Sequence, residues 1–374
     1  NIPAGMGGAL NSNARDMTRL LQFFLGNGLA GDTWMFTPEE IDYMETPSTT
    51  VAARAGLDYG YGMGNTSSNY DNKILFHGHG GGIDGFISDY AYNREHDLGY
   101  ALSNNGSRSL SSISSVIKAF LTRDIPEPEA GAEPEPLDPS LIEDYTGYYR
   151  FVSPRSQIGT FMVRLVEGKR LVLEDDTLYQ KAFMEDPQKL VHMGDMQFRL
   201  ADEHFPTRIL LTREDGSKAF SALGSLYEKT GYWKIILLRV LIFGAAAIAV
   251  SLIPMALVWM VMAVLKKMRR QVFRRMLWPM LTLLFFIFMV VSLNAIMSDV
   301  FSYARVSWPS VSYFVFSILF GLFSLITLRY AFRNREKIRS WLLRIYYYAL
   351  GAGFTSLTVY LLYWGVIGLR FWTG

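Results

Sequence analysis

The distribution of apolar residues divides the chain at about residue 230. Residues 1–230 mix apolar and polar positions as water-soluble domains do, whereas the remainder contains long, nearly uninterrupted apolar runs. A helix needs about 20 apolar residues to cross about 30 Å of hydrocarbon. Four runs reach or approach that length, and we expect them to be transmembrane helices: residues 240–265, 276–297, 311–328 and 345–369.

The loops between these runs differ in charge. The first connection and the third are rich in Lys and Arg, whereas the second has Arg305 balanced by Asp299. Because basic loops stay on the cytoplasmic side, we predict a multi-pass protein of the bacterial cytoplasmic membrane with residues 1–230 outside the cytoplasm. The lipid bilayer is then a partner. The apolar centres contain no ionisable residue, which favours an anchoring or packing role over transport or signalling.

The first soluble segment mixes helix and strand signals. Asn13 with Asp16 and Thr37 with Glu40 have the spacing of helix caps, so a helix is predicted after each pair. Alternating apolar positions and turn residues predict the remaining elements. They are strands at 59–64, 73–77, 86–92 and 98–103, turns at 80–85 and 93–97, and a helix at 109–122.

The second soluble segment follows a charged, proline-rich spacer. Residues 126–140 contain five prolines and five acidic residues, which is typical of an extended linker. Beyond it, short alternating runs separated by turns predict a small antiparallel barrel or sandwich. The predicted strands are 145–149, 159–166, 170–174, 178–182, 189–192, 197–201, 208–213 and 218–223.

Composition excludes several classes of site. The chain has no cysteine, so disulfides and thiolate metal sites are ruled out, and its net charge of +2 gives no signal for nucleic acid as a partner. Gly80–Gly82 lacks the Gly-Lys-Ser/Thr of a phosphate loop, and no cofactor is expected. The chain begins at Asn1 and no signal peptide is visible, so we expect either that the chain was processed or that its N-terminal part is missing.

Four stretches of the first segment, in order and spacing, resemble the C-terminal part of the β-lactamase, penicillin-binding protein and esterase superfamily of serine hydrolases, especially its class C-like branch. They are residues 3–17, 36–40, 59–64 and 78–86. His79-Gly80-Gly81 matches the His-x-Gly variant of the family's Lys-Thr-Gly strand. The resemblance implies that His79 lines the catalytic pocket, with Gly81 and Gly82 at its edge and an oxyanion-binding N–H on Gly82.

The same resemblance extends to the second segment. Ile142, Tyr145, Gly147 and Tyr149 nearly match the opening of the lipocalin-like barrel that often follows this hydrolase domain. The expected fold is therefore multidomain: an α+β partial β-lactamase-like domain, a small antiparallel β-barrel and a four-helix transmembrane bundle. The corresponding ranges are 1–125, the linker 126–140, 141–228 and 232–374.

The family's other motifs, Ser-x-x-Lys and Tyr-x-Asn, precede the His-x-Gly strand. The resemblance implies that the nucleophile half of the domain lies upstream of Asn1, and that this chain alone is inactive. Ser115-Val-Ile-Lys118 is set aside because it follows the strand, and Tyr70-Asp-Asn72 because it reads as a turn.

Besides transport or signalling by the four helices, two functional hypotheses stay open for the soluble segments. The first is a membrane-anchored extracytoplasmic serine hydrolase that forms an acyl-enzyme with a peptide, a β-lactam or an ester. The second is a non-catalytic envelope binding or scaffolding protein with a degenerate hydrolase domain. For His79 the alternatives are a structural histidine or a metal ligand with His77, for which Asp84 and Asp89 are the nearest carboxylates; no metal is expected.

Overall fold

The computed structural model describes residues 10–68, 73–83, 85–106, 108–126, 134–154, 159–265, 270–298, 305–338 and 340–372. The chain forms two compact units. The strand-rich unit comprises Ala4–Arg155 and Val166–Tyr232, and the helical unit comprises Asn1–Pro3, Ser156–Leu165 and Trp233–Gly374. Part of the first family-like stretch, residues 3–9, lies outside the described residues, as do Tyr70–Asn72, Asp84 and linker residues 127–133.

The strand-rich unit begins with two helices that start where their caps predict. Helix α1 (Ala14–Leu25) is capped by the Asn13 side chain, which accepts from the backbone N–H groups of Arg15 and Asp16. Helix α2 (Pro38–Glu45) begins with a complete capping box between Thr37 and Glu40. Both predicted helix starts are confirmed. The short elements around them are β1 (Leu29–Ala30), β2 (Thr33–Trp34) and α3 (Val51–Arg54).

A four-stranded antiparallel sheet follows, in the order β3-β4-β5-β6. Its strands are β3 (Thr66–Ser68), β4 (Phe76–Ile83), β5 (Phe86–Asn93) and β6 (Leu98–Asn104), and helix α4 is Ser111–Leu121. One face packs on α1 and α2 through Phe24, Ile41 and Tyr92. The other packs on α4 through Phe76 and Ile117.

Two sequence predictions in this sheet are wrong. Residues 80–83, predicted as part of a turn, continue strand β4, because they pair in register with β5. Glycine content suggested the turn, yet none of these glycines has a positive φ. The predicted strand at 59–64 is reduced to an isolated bridge between Tyr61 and Thr66, since the chain here packs its backbone on Met44 instead of pairing as a ladder.

The second segment of the described chain is a closed eight-stranded antiparallel barrel in which consecutive strands are neighbours, so the predicted barrel is confirmed. Helix α5 (Pro139–Ile142) precedes it. The strands are β7 (Gly147–Phe151), β8 (Gly168–Glu174), β9 (Thr177–Ala182), β10 (Gln188–His192), β11 (Gln197–Leu200), β12 (Arg208–Thr212), β13 (Lys218–Ala222) and β14 (Ser225–Thr230). Its core holds Tyr149, Leu171, Phe198 and Phe220.

The strand predicted at 159–166 is a helix, α6 (Thr160–Val166), and the last barrel strand, β14, was missed. Phe161, Val163 and Leu165 alternate as they would in a strand. Phe161 and Leu165, however, pack in the core of the helical unit, not in the barrel. A partner so distant in sequence leaves no signal in a local pattern.

The helical unit contains α7 (Tyr232–Val250), α8 (Leu252–Val264), α9 (Arg270–Met297), α10 (Trp308–Arg333) and α11 (Trp341–Tyr363). Among the described residues four helical stretches are long and apolar enough to cross a membrane, α7 and α8 together forming the first. The four predicted spans are thereby confirmed as apolar helices. The fourth ends at Tyr363, six residues before its predicted end at 369. The loop residues Lys266, Lys267, Arg269, Asp299 and Arg339 lie outside the described residues, so the orientation stays a prediction.

Small and hydroxyl-bearing residues make the helix contacts. Ser317 and Ser324 of α10 are fully buried, and Ser324 accepts a hydrogen bond from the Thr358 hydroxyl of α11 at 3.0 Å. A Cβ on Gly351 would lie 2.8 Å from the Leu328 Cα, so the two backbones touch. Such close packing through small residues is how helices associate in lipid, in keeping with the predicted packing role.

Candidate functional site

Strand β4 places its two histidines on one face of the four-stranded sheet. His77 and His79 stand opposite Tyr92 and Tyr90 of β5, on the face that α1 and α2 cover. The intervening Gly78 faces the other side, with Phe76. Beyond His79 the strand rises to the surface, and Gly80, Gly81 and Gly82 are exposed. The predicted pocket residues His79, Gly81 and Gly82 therefore lie on one continuous strand.

This part of β4 has one open edge. Strand β3 pairs only with residues 76–78 of β4, whereas β5 pairs with residues 77–83. Among the described residues, no strand lies on the outer edge of β4 beyond Gly78. Backbone N–H and C=O groups at a free edge can pair with another extended chain. The outer edge of β4 is therefore exposed along Gly80, Gly81 and Gly82.

The glycines of β4 fall into two groups when a Cβ atom is added to each. At Gly78 it would lie 2.0 Å from the Tyr90 carbonyl oxygen, so internal packing requires glycine there. At Gly82 it would meet nothing within 4 Å, and at Gly80 the nearest atom is 3.7 Å away. Gly81 is intermediate, with the Ser88 Oγ at 3.0 Å. Packing among the described residues thus explains Gly78 but leaves space beside Gly80 and Gly82.

The His79 imidazole is held at both nitrogens. Its Nε2 lies 2.5 Å from the Tyr61 hydroxyl, and its Nδ1 lies 2.6 Å from the Gly80 carbonyl oxygen. The two rings meet edge to face, at 89°. The sequence analysis did not identify Tyr61 as a site residue. Its only signal was the flanking pair Gly60 and Gly62, which indicates a close approach of two backbones.

Tyr61 itself is firmly anchored. A Cβ on Gly62 would lie 2.1 Å from the Met44 carbonyl oxygen, so only glycine allows the chain to pass there. The Thr49 hydroxyl donates to the Tyr61 carbonyl at 3.0 Å, and Tyr61 bridges to Thr66 beside β4. These contacts place the phenol against His79 while leaving it 38% exposed.

His77 has a different environment from His79. Its side chain is 16% exposed, with Nε2 4.0 Å from a carboxylate oxygen of Glu45. Burial lowers the pKa of His77 below 6.5; the Glu45 carboxylate opposes this shift, and Arg94 adds to it. Arg94 donates to Glu45 through Nε at 2.9 Å and also binds Asp42. His77 therefore belongs to a packed ionic cluster, which favours a structural role for His77.

Beneath Gly80, on the opposite face of the sheet, lies a small polar cavity of about 80 Å³. Asp89 and Tyr100 line it, with the Tyr100 hydroxyl donating to the Asp89 carboxylate at 2.8 Å. Lys118 of α4 also lines it, 5.5 Å from the centre of the Phe76 ring. A cavity of this size and polarity has room for a few water molecules.

Two other interpretations of the sequence concern the Ser115–Lys118 motif and a metal ion. Lys118 points under the sheet while Ser115 is exposed on α4. For a metal site, Asp89 already accepts from Tyr100 and Asp84 lies outside the described residues; within the described part of the chain no three His, Asp or Glu side chains are grouped to hold an ion.

The barrel interior contains a buried ion pair that the sequence did not reveal. Arg208 is opposite Phe198 and Ala222, both in the barrel core, so its side chain faces inward. It donates to Glu203 at 2.6 Å. The side chains of Arg208 and Glu203 are 3% and 6% exposed. The Glu203 carboxylate also accepts from the Thr207 hydroxyl. With these partners satisfied internally, the cluster is structural.

Comparison with known proteins gives limited similarity. No protein-family model matches the sequence, and no curated protein matches it. Among solved structures, the chain is similar to the octameric penicillin-binding protein homologue from Pyrococcus abyssi, at 17% identity over 58% of this chain and 47% of that one, with a TM-score of 0.25.

It is also similar to SurE, in a crystal structure with D-Leu, at 14% identity over 57% of this chain and 49% of that one, with a TM-score of 0.33. A second SurE crystal structure gives 15% identity, 57% and 48% coverage and a TM-score of 0.32. The chain therefore spans about half the length of the solved structures it matches. TM-scores this low show a weak structural likeness only.

Proposed function

We propose that this chain is the C-terminal portion of a membrane-anchored serine hydrolase of the β-lactamase and penicillin-binding-protein superfamily. The enzyme would acylate its serine with a peptide, a β-lactam or an ester and then hydrolyse the acyl-enzyme. The observation that carries the proposal is the exposed, glycine-lined outer edge of β4 beside His79. No cofactor and no metal enter this chemistry.

The open edge suits acyl transfer. When a nucleophile attacks a carbonyl carbon, negative charge develops on the oxygen, and a preorganised N–H donor there is worth about 3–4 kcal/mol. In this proposal the Gly82 N–H is one donor, and the N–H of the nucleophile is the other. A substrate lies along the edge as an added strand, and Gly81 lets its backbone approach closely.

His79 supplies the polar group at the start of that edge. A lysine at this position of the family strand carries a permanent positive charge for a substrate carboxylate. Histidine is a weaker and pH-dependent source of charge. This difference favours a peptide or an ester over a β-lactam as the substrate.

The serine, its lysine base and the Tyr-x-Asn motif belong to polypeptide that precedes this chain. An exposed apolar face on α4 supports a missing neighbour: Ile113, Val116 and Phe120 lie on adjacent turns and are 53%, 69% and 61% exposed. Their spacing of three and four residues marks one helix face. Helix α4 already packs its other face on the sheet, so the nucleophile half is the proposed cover for this one.

The apolar helices anchor the hydrolase in the bilayer. With the basic loops in the cytoplasm, residues 1–230 lie outside it, where envelope peptides and esters are found. The barrel, which we propose to be lipocalin-like, follows the hydrolase portion. The ranges 1–125, 141–228 and 232–374 remain our proposed division into domains.

Covalent labelling tests the hydrolase. Membranes containing the complete natural protein are treated with a fluorescent penicillin and with a fluorophosphonate. We expect at least one probe to attach, and Gly82→Val to reduce labelling at least tenfold because its branched side chain crowds the approach of a substrate to the Gly82 backbone. Gly159→Val is the matched control, since a Cβ there also meets nothing within 4 Å. Absence of labelling by both probes would overturn the hydrolase and leave the non-catalytic binding module.

A further inference from the structure

We infer that Tyr61 is a positioning residue for His79, and that its hydroxyl exchanges its role as hydrogen-bond donor for that of acceptor when the imidazole gains a proton. The consequence for catalysis rests on the proposed function. The hydrogen-bond geometry concerns described residues alone and can be tested without any activity.

The first step fixes the tautomer of the neutral ring. A carbonyl oxygen only accepts hydrogen bonds, so the 2.6 Å contact between His79 Nδ1 and the Gly80 oxygen places a proton on Nδ1. The neutral ring then has a lone pair on Nε2. The Tyr61 hydroxyl, 2.5 Å away, must donate its proton to that lone pair. Both ring nitrogens are occupied in this state.

The second step is that Tyr61 is held in its position beside His79. Its backbone is fixed where Gly62 passes close to Met44. The Thr49 hydroxyl also donates a hydrogen bond to the Tyr61 carbonyl oxygen. Its ring meets the imidazole edge to face with centroids 5.6 Å apart. When the imidazole changes protonation state, rotation of the phenolic hydrogen is therefore the available adjustment.

The third step follows from proton counting. A protonated imidazole carries N–H on both nitrogens, so Nε2 becomes a donor and the Tyr61 oxygen accepts. The phenol keeps its own proton, which is no longer bound to His79. Since Tyr61 is 38% exposed, that O–H can then donate to a substrate oxygen or to water. Protonation of the imidazole therefore frees the Tyr61 O–H to donate to another acceptor.

Other titratable groups surround the pair. Burial raises the pKa of Tyr90, and the neighbouring Tyr61 raises it further, so Tyr90 is neutral. The Asp89 carboxylate and the Lys118 ammonium line the cavity on the opposite face. Among the described residues, the titratable groups that contact the imidazole or line this cavity with it are Tyr61, His77, Asp89, Tyr90, Tyr100 and Lys118.

The arrangement assigns His79 a role other than that of general base. Removing a substrate proton would require the Nε2 lone pair, which the Tyr61 hydroxyl occupies. In the proposed hydrolase the pair instead orients a donor at the start of the glycine edge, and a base must come from elsewhere. Sequence resemblance alone assigned His79 to the pocket without distinguishing these roles.

Magnetic resonance of the full chain in liposomes tests the inference. Histidine is labelled with nitrogen-15 and tyrosine with carbon-13 at Cζ; the chain has only five histidines, and His79→Gln identifies the His79 signals. At neutral pH we expect His79 Nδ1 to be protonated and Nε2 to be unprotonated. On acidification the Tyr61 Cζ signal should shift with the same midpoint as His79, and that shift should vanish in His79→Gln.

Tyr61→Phe should move the unprotonated Nε2 signal, because the ring remains while its donor is lost. Tyr90→Phe, which alters the cross-strand neighbour, should leave that signal in place. A protonated Nε2 in the neutral wild-type ring, or His79 signals unaffected by Tyr61→Phe, would overturn the inference. If neither probe labels the protein while these resonance results are obtained, the proposed hydrolase is excluded. The inference about the Tyr61–His79 hydrogen bond is then unaffected.

Discussion

The barrel and the four-stranded sheet use the same antiparallel pairing with opposite results. In the barrel the ladder closes on itself, so each strand has two neighbours and backbone groups are satisfied internally. In the sheet, β4 has two neighbours up to Gly78 and one beyond it. A closed ladder provides stability, whereas an open edge leaves hydrogen-bonding groups for a ligand. The contrast places the candidate site in the sheet.

The largest effect is expected inside the barrel, where Arg208→Met would leave Glu203 buried without its cation. Breaking a buried pair from one side costs about 3–5 kcal/mol of unfolding free energy. Urea unfolding of the reconstituted chain measures the loss. The control is Arg150→Met, whose exposed pair with Glu228 is worth at most about 1 kcal/mol. Equal costs for the two variants would show that the barrel interior is not sealed.

The next largest change in unfolding free energy is expected at one of two glycines of strand β4. Gly78→Ala forces a methyl group against the Tyr90 carbonyl and should cost about 1–3 kcal/mol, as overpacking does. Gly82→Ala adds a methyl group to open space and should change the unfolding free energy by less than about 0.5 kcal/mol. The same urea experiment measures both. If Gly82→Ala were as costly as Gly78→Ala, the space that a Cβ of Gly82 would occupy would not be open.

The smallest expected effect is a pH dependence of the sheet through His77. Burial holds the pKa of His77 below its ordinary 6.5 in the folded state, so the unfolded chain binds more protons between these two values. The stability from this group is present above pH 6.5 and is lost as pH falls through the folded value. The melting temperature should decrease less on acidification in His77→Gln than in wild type. Identical pH profiles would contradict the lowered pKa of the partly buried His77.

Local signals were enough to predict much of the fold. The caps at Asn13 and Thr37 were confirmed because a capping bond joins residues three apart. The barrel strands and the apolar helices were predicted from patterns of period two and from hydrophobic length. Helix α6 was not, because Phe161 and Leu165 find their partners in the helical unit.

The candidate site was predictable only in part. The glycine-flanked His79 could be singled out from its motif, and its pocket role stays a prediction. Its hydrogen-bond partner could not, since Tyr61 lies 18 residues earlier and reaches it through tertiary packing. Glycine content predicted a turn at 80–85 because composition cannot distinguish a bend from an extended strand that leaves room beside it.

Helix α6 has a consequence for how the chain can be dissected. The polypeptide leaves the strand-rich unit after β7, contributes α6 to the helical unit, returns at β8 and leaves again after β14. Within the helical unit, the Tyr360 hydroxyl donates to the Phe161 carbonyl and Arg239 Nε donates to the Leu165 carbonyl. Proteolysis after Thr230 alone would therefore not release the barrel. A detachable fragment also requires excision of α6, with β7 and β8 rejoined by a tight hairpin.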